Sequence, residues 1–74
     1  MIEQIINIDP EIHSGTPVFM GSRVPVKALF EYLKSGETLE MFLADFPTVR
    51  RELAVALLAL AQNEVIEKAK MVAA

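Results

Sequence analysis

The sequence contains no cysteine and only one histidine, His13. Without cysteine there is no disulfide, and one histidine cannot assemble the usual four-ligand zinc site, so no metal and no cofactor are expected. Long apolar runs are missing as well: the longest, Leu53 to Ala61, has nine residues. That is less than half of the ~20 that a membrane-spanning helix needs, and no membrane association is expected. Met1-Ile2-Glu3-Gln4 lacks the basic start and cleavable apolar core of a secretory signal, which makes the cytoplasm the expected location. Positive charge is also scarce, with seven Lys and Arg against ten Asp and Glu, a formal net charge of -3 and a pI near 5.0. Such a chain does not coat nucleic acid or anionic lipid by bulk electrostatics, although a local basic patch stays open. Neither a glycine-rich phosphate loop nor a G-x-S-x-G elbow occurs, and no motif sets a base beside Ser14, Thr16 or Ser22. The expectation is a protein without enzymatic activity.

What is abundant is apolar residues, 53% of a 74-residue chain with only 23% charged. The length allows a single domain, residues 1–74. A chain this small buries roughly 60% of its unfolded surface, and the gain nearly cancels the ordering cost. With disulfides and metal excluded, oligomerisation is the remaining source of stability, and a homodimer is expected.

The two halves follow different periods. Residues 1–24 read as a strand-bearing arm: Pro10, Pro17, Gly15 and Gly21 leave no room for a long helix. Ile2 to Ile8 and Pro17 to Met20 read as short strands joined by the turn-rich Asp9 to Thr16. Residues 25–61 read as a three-helix bundle. Pro25 opens helix one, about 25–35, with Val26, Leu29, Phe30 and Leu33 at helical spacing until Gly36. Thr38 is the expected N-cap of helix two, about 38–46, whose stripe of Leu39, Phe42, Leu43 and Phe46 ends at Pro47. Thr48 is the expected cap of helix three, which should run at least to Gln62. The tight connections suit a helix-turn-helix bundle. Helix three is apolar all round from Leu53 to Ala61, which calls for cover on both sides. Leu53, Leu57, Leu58 and Leu60 are therefore the candidate dimer interface. Residues 62–74 read as a C-terminal helical extension, either a plain continuation or a tail that folds onto a partner.

Four clusters invite a functional reading. Gly21-Ser22-Arg23-Val24-Pro25 reads as a structural turn, in which Arg23 is free to clamp Asp45 or Glu31, or to meet a phosphate or a partner's acid. Arg50 and Arg51 oppose the dipole in the first turn of helix three and so invite an anion. With Thr48, and with Lys27 and Lys34 as phosphate contacts, they are the candidate DNA-binding residues. Against this stand Glu37, Glu40, Asp45 and Glu52, and the apolar character of the would-be recognition helix. His13, near Asp9 and Glu11, reads as a loop hydrogen-bonder, since no nucleophile or second ligand accompanies it.

Ile8-Asp9-Pro10, Gly15-Thr16-Pro17-Val18 and Gly21-Ser22-Arg23-Val24-Pro25-Val26 stand in one order with Leu33 to Thr38 and with Asp45-Phe46-Pro47. Over residues 6–62 this series resembles the bacterial family of domains of unknown function number 433. Ser22 stands where that family usually has threonine, which keeps the hydroxyl. The resemblance implies a mainly α, homeodomain-like helix-turn-helix fold with a short β arm, usually dimeric. It further implies an antitoxin role toward a PIN-like ribonuclease toxin, with operator DNA as a further partner. Two alternatives stay open: a structural or adaptor dimer without DNA binding, and a DNA-binding regulator without a toxin.

Overall fold

A computed structural model describes residues 2–73. Its elements are β1 (Ile6–Asn7), β2 (Val18–Phe19), α1 (Val26–Lys34), α2 (Leu39–Asp45) and α3 (Arg51–Ala73). The chain is thus mainly helical with a two-stranded antiparallel sheet, in which Ile6 lies opposite Phe19 and Asn7 opposite Val18. Met1 and Ala74, the ends of the arm and of the extension as read from sequence, lie outside the described residues.

The first strand is shorter than the pattern Ile2 to Ile8 predicts, because Ile2–Gln4 forms a 3-10 turn closed by Ile5 N–H donating to the Ile2 carbonyl at 2.9 Å. This turn delivers Ile5 into the core, and burying that side chain outweighs two or three more ladder bonds at an exposed edge. β2 is bonded on both sides. Met20 N–H donates to the Ile5 carbonyl at 2.8 Å, while Phe19 N–H donates to the Val24 carbonyl at 2.9 Å across the Gly21–Ser22 turn.

Helix ends follow local chemistry. α1 starts after Pro25, whose φ of -61° is already that of a helix. It ends in a Schellman motif: Gly36 takes φ +93°, Gly36 N–H donates to the Leu33 carbonyl at 3.1 Å, and Glu37 N–H to the Tyr32 carbonyl at 2.9 Å. Thr38 caps α2, its hydroxyl accepting from Met41 N–H at 3.0 Å. Thr48 does not cap α3, contrary to the sequence reading. Val49 N–H donates to the Phe46 carbonyl at 3.0 Å, a turn that buries Val49, and the first helical amides, of Leu53 and Ala54, reach the Arg50 carbonyl instead. Helix three therefore begins at Arg51.

The core joins the arm to all three helices through Ile5, Phe19, Leu29, Phe42, Val49, Ala54 and Leu57. Aromatic rings form its centre. Phe42 stands 6.0 Å from Phe19, 5.3 Å from Tyr32 and 5.0 Å from Phe46, between centroids, in tilted or edge-on contacts. These are the favoured arrangements of aromatic quadrupoles.

α3 departs most from expectation. Leu57 is 6% exposed within the chain's own core, and Leu53, Leu58 and Leu60 pack half-buried against it. The side chains expected to meet a second copy are thus largely used internally. At 3.6 residues per turn Leu53, Leu57 and Leu60 fall on one side of the helix, so the bundle can cover them together. The opposite side is held by Val55 and Ala59, and alanine presents little apolar area. An apolar composition thus does not amount to an apolar face.

Past the bundle α3 continues unsupported. Its 23 residues make a rod of about 34 Å, and every residue from Gln62 to Ala73 is exposed. The Cα radius of gyration of 13.4 Å exceeds the ~11 Å of a compact chain of this length. The excess reflects the projecting helix. No helix among the described residues is long and apolar enough to cross a membrane.

Candidate functional site

The five residues read as a DNA-contacting set do not form one free cationic surface. Arg51, at the start of α3, donates through Nη2 to Glu40 Oε1 of α2. That hydrogen bond, more than the charge itself, holds the Glu40 carboxyl below its ordinary range and keeps the guanidinium protonated still more firmly. Lys34 pairs with Glu31 at 3.0 Å, one turn apart on α1. Both pairs are exposed, so they contribute little to stability, but they neutralise two of the cations a phosphate would need. Arg50 and Lys27 have no side-chain partner among the described residues. Thr48 faces elsewhere, into a groove beside Arg23.

Arg23 clamps neither of the acids open to it from sequence. Glu31 is held by Lys34, and Asp45 accepts the Tyr32 phenol at 2.7 Å. The turn that carries Arg23 is nonetheless firmly built. Gly21 takes φ +80°, while the Ser22 hydroxyl donates to the Phe19 carbonyl at 2.9 Å and accepts from Val24 N–H at 3.1 Å. Arg23 is exposed and lines an open groove of about 710 Å³ between the arm and the α2–α3 corner, together with Asn7, His13, Phe46 and Thr48. His13 and Ser14 take φ of +49° and +55°, followed by Gly15 at +88°. Thr16 closes that loop, its hydroxyl donating to the His13 carbonyl at 2.8 Å.

The Tyr32–Asp45 bond ties α1 to α2 and was not legible from sequence, since Tyr32 belongs to no motif and the two residues are 13 positions apart. Its carboxylate acceptor, chiefly through the hydrogen bond, raises the phenol above the ordinary 10.0. A raised value in the folded state means that the bond contributes fully below about pH 10 and is lost as pH rises through the shifted titration. Tyr32 is the only tyrosine, so an ultraviolet titration reads it directly. We expect ionisation above 10.0 in the folded protein and a return toward that value in Asp45→Asn. Ionisation at or below the ordinary value in the wild type would remove the bond.

A second exposed surface is the projecting half of α3. Val65 is 68% exposed, Met71 77% and Val72 88%, with Ile66 beside them and Glu64, Glu67, Lys68 and Lys70 interspersed. The ion pair found on this stretch among the described residues, Lys70 to Glu67 at 3.5 Å, lies within the helix itself. Among the described residues no group of three or more His, Asp and Glu could hold a metal ion.

The model of the family described as protein of unknown function (DUF433) matches residues 6–61. The chain belongs to the DUF433 family. The match starts at β1 and ends where α3 leaves the bundle, so the projecting half of α3 lies outside it. No curated protein matches the chain. Among solved structures, a DUF433 member protein from Anabaena variabilis ATCC 29413 superposes with a TM-score of 0.69 at 23% identity. The superposition covers all of this chain and 73% of that one, and at this identity it speaks for the shared fold alone.

Proposed function

We propose that this DUF433 chain is an antitoxin-like subunit: a homodimer in the cytoplasm, built on a helix-turn-helix type of bundle, that binds and neutralises a small PIN-like ribonuclease toxin. The observation that carries a protein-binding role is the projecting half of α3. It presents Val65, Ile66, Met71 and Val72 to solvent on a preformed helix, the shape of element that docks into a partner's groove. The identity of the partner rests on the family resemblance. DNA recognition has weaker support, because Arg51 and Lys34 already serve carboxylates and the chain is net acidic. An adaptor dimer without a toxin is the competing reading, favoured by the same exposed apolar side chains.

The test is co-expression with the product of the adjoining reading frame, followed by light scattering and a ribonuclease assay. We expect a stable complex in which nuclease activity is suppressed, and a chain that alone has twice the monomer mass. A complex-free elution with undiminished nuclease activity would overturn the antitoxin reading. A mass of 8.2 kDa for the isolated chain at micromolar concentration would remove the dimer.

A further inference from the structure

The groove at the α2–α3 corner is independent of the projecting helix and calls for its own explanation. The chain holds ten carboxylates against seven cationic side chains, yet none of the carboxylates lines this groove. The residues that line it include Arg23, His13, Asn7, Ser22 and Thr48, together with the apolar Phe46 and Pro25. Arg23 has no hydrogen bond or ion pair among the described residues. A cation kept apart from an excess of available acids is complementary to an anion from outside.

We infer that this groove binds a small organic oxyanion, a phosphate monoester or a carboxylate carried on an apolar or flat body, with Arg23 holding the anion. Volume supports a small molecule: about 710 Å³ falls within the ~300–1,000 Å³ of ligand pockets. The chemistry of the lining divides in the same way. Arg23 offers a planar fork of donors that matches two oxygens of a phosphate or carboxylate. Asn7, Thr48 and His13 add hydrogen-bonding groups around the anion, and Phe46 and Pro25 take the body. The backbone is prepared for this, since the loops that present Arg23 and His13 are closed by their own hydrogen bonds, Ser22 to Phe19 and Val24 on one side and Thr16 to His13 on the other. Binding therefore orders side chains and leaves the loops as they are. A nucleic-acid strand fits less well, because the groove offers one guanidinium in a chain of net charge -3.

Amide NMR of the full chain tests this, with adenosine monophosphate, benzoate, inorganic phosphate and a short DNA duplex as probes. We expect saturable shifts at Asn7, His13, Arg23 and Thr48 with adenosine monophosphate or benzoate, at a Kd of about 1 mM or tighter. Preference for the first assigns a phosphate ligand and for the second a carboxylate. Arg23→Ala should weaken binding at least about tenfold, with Arg23→Lys intermediate and Lys68→Ala, on the projecting helix, unchanged. Arg23 is exposed, so the fold should survive its replacement, and an unchanged far-ultraviolet spectrum checks this. Absence of saturable shifts at about 10 mM of every small probe would overturn the assignment. So would indifference to Arg23→Ala, equal binding of inorganic phosphate, or tighter binding of the duplex at these residues.

Discussion

Replacing Phe42 with alanine should leave the chain largely unfolded at physiological temperature. The ring is fully buried and meets Phe19, Tyr32 and Phe46, so it is the point at which the β arm, α1 and the α2–α3 corner are held together. Truncating a buried phenylalanine costs about 3–5 kcal/mol. A chain of this length has about 4–11 kcal/mol in total, so the substitution removes much or all of its margin. Urea denaturation followed by far-ultraviolet circular dichroism gives the answer directly. Ile66→Ala, on the exposed half of α3, should by contrast change stability by no more than about 0.5 kcal/mol. A loss under about 1.5 kcal/mol for Phe42→Ala would show that the ring cluster is not the centre of the core.

Deleting residues 63–74 should separate stability from assembly. All the described residues removed, 63–73, are exposed, and the core contacts of α3 end before them. The truncated chain should keep its thermal midpoint within about 5 °C, the equivalent of roughly 1 kcal/mol for a domain of this size. Its affinity for the partner should fall by about a hundredfold or more, some 2.7 kcal/mol. Isothermal titration with the purified partner, alongside a thermal melt, reads both quantities. Unchanged affinity would move the partner site onto the bundle, while a collapse of the midpoint would mean that the projecting half supports the fold in a way that its exposure does not suggest.

Part of this molecule can be read without its structure because the relevant physics is local. Pro25 fixes φ at the N-cap of α1, Thr38 offers an oxygen to the amide of Met41, and Gly36 accepts the left-handed conformation that ends α1. Each of these acts over three or four residues, and each is visible as a residue type at a spacing. The Gly21-Ser22 turn belongs to the same class, since its bonds join Phe19, Ser22 and Val24. Membership of DUF433 was legible for a related reason: its anchors are mostly these local devices in a fixed order.

Other features depend on which surfaces meet. Ile2 to Gln4 has the composition of a strand, but burying Ile5 in the core draws this stretch into a 3-10 turn. Thr48 has the chemistry of a cap, yet the turn that buries Val49 moves the start of α3 to Arg51. Of the α3 leucines that look like an interface in one dimension, Leu57 is core in three and Leu53, Leu58 and Leu60 pack half-buried against it, because only the packed bundle decides which side of an alanine-rich helix it covers. Arg51 and Glu40, or Tyr32 and Asp45, find one another across 11 and 13 residues, distances at which spacing carries no information. The ends of α1, the cap of α2 and the family thus follow from the sequence by itself, as consequences of short-range sterics and hydrogen bonding. Which cations remain free, which leucines are used up and where the open groove lies were decided only by tertiary packing, because each depends on partners that the chain brings together from distant positions.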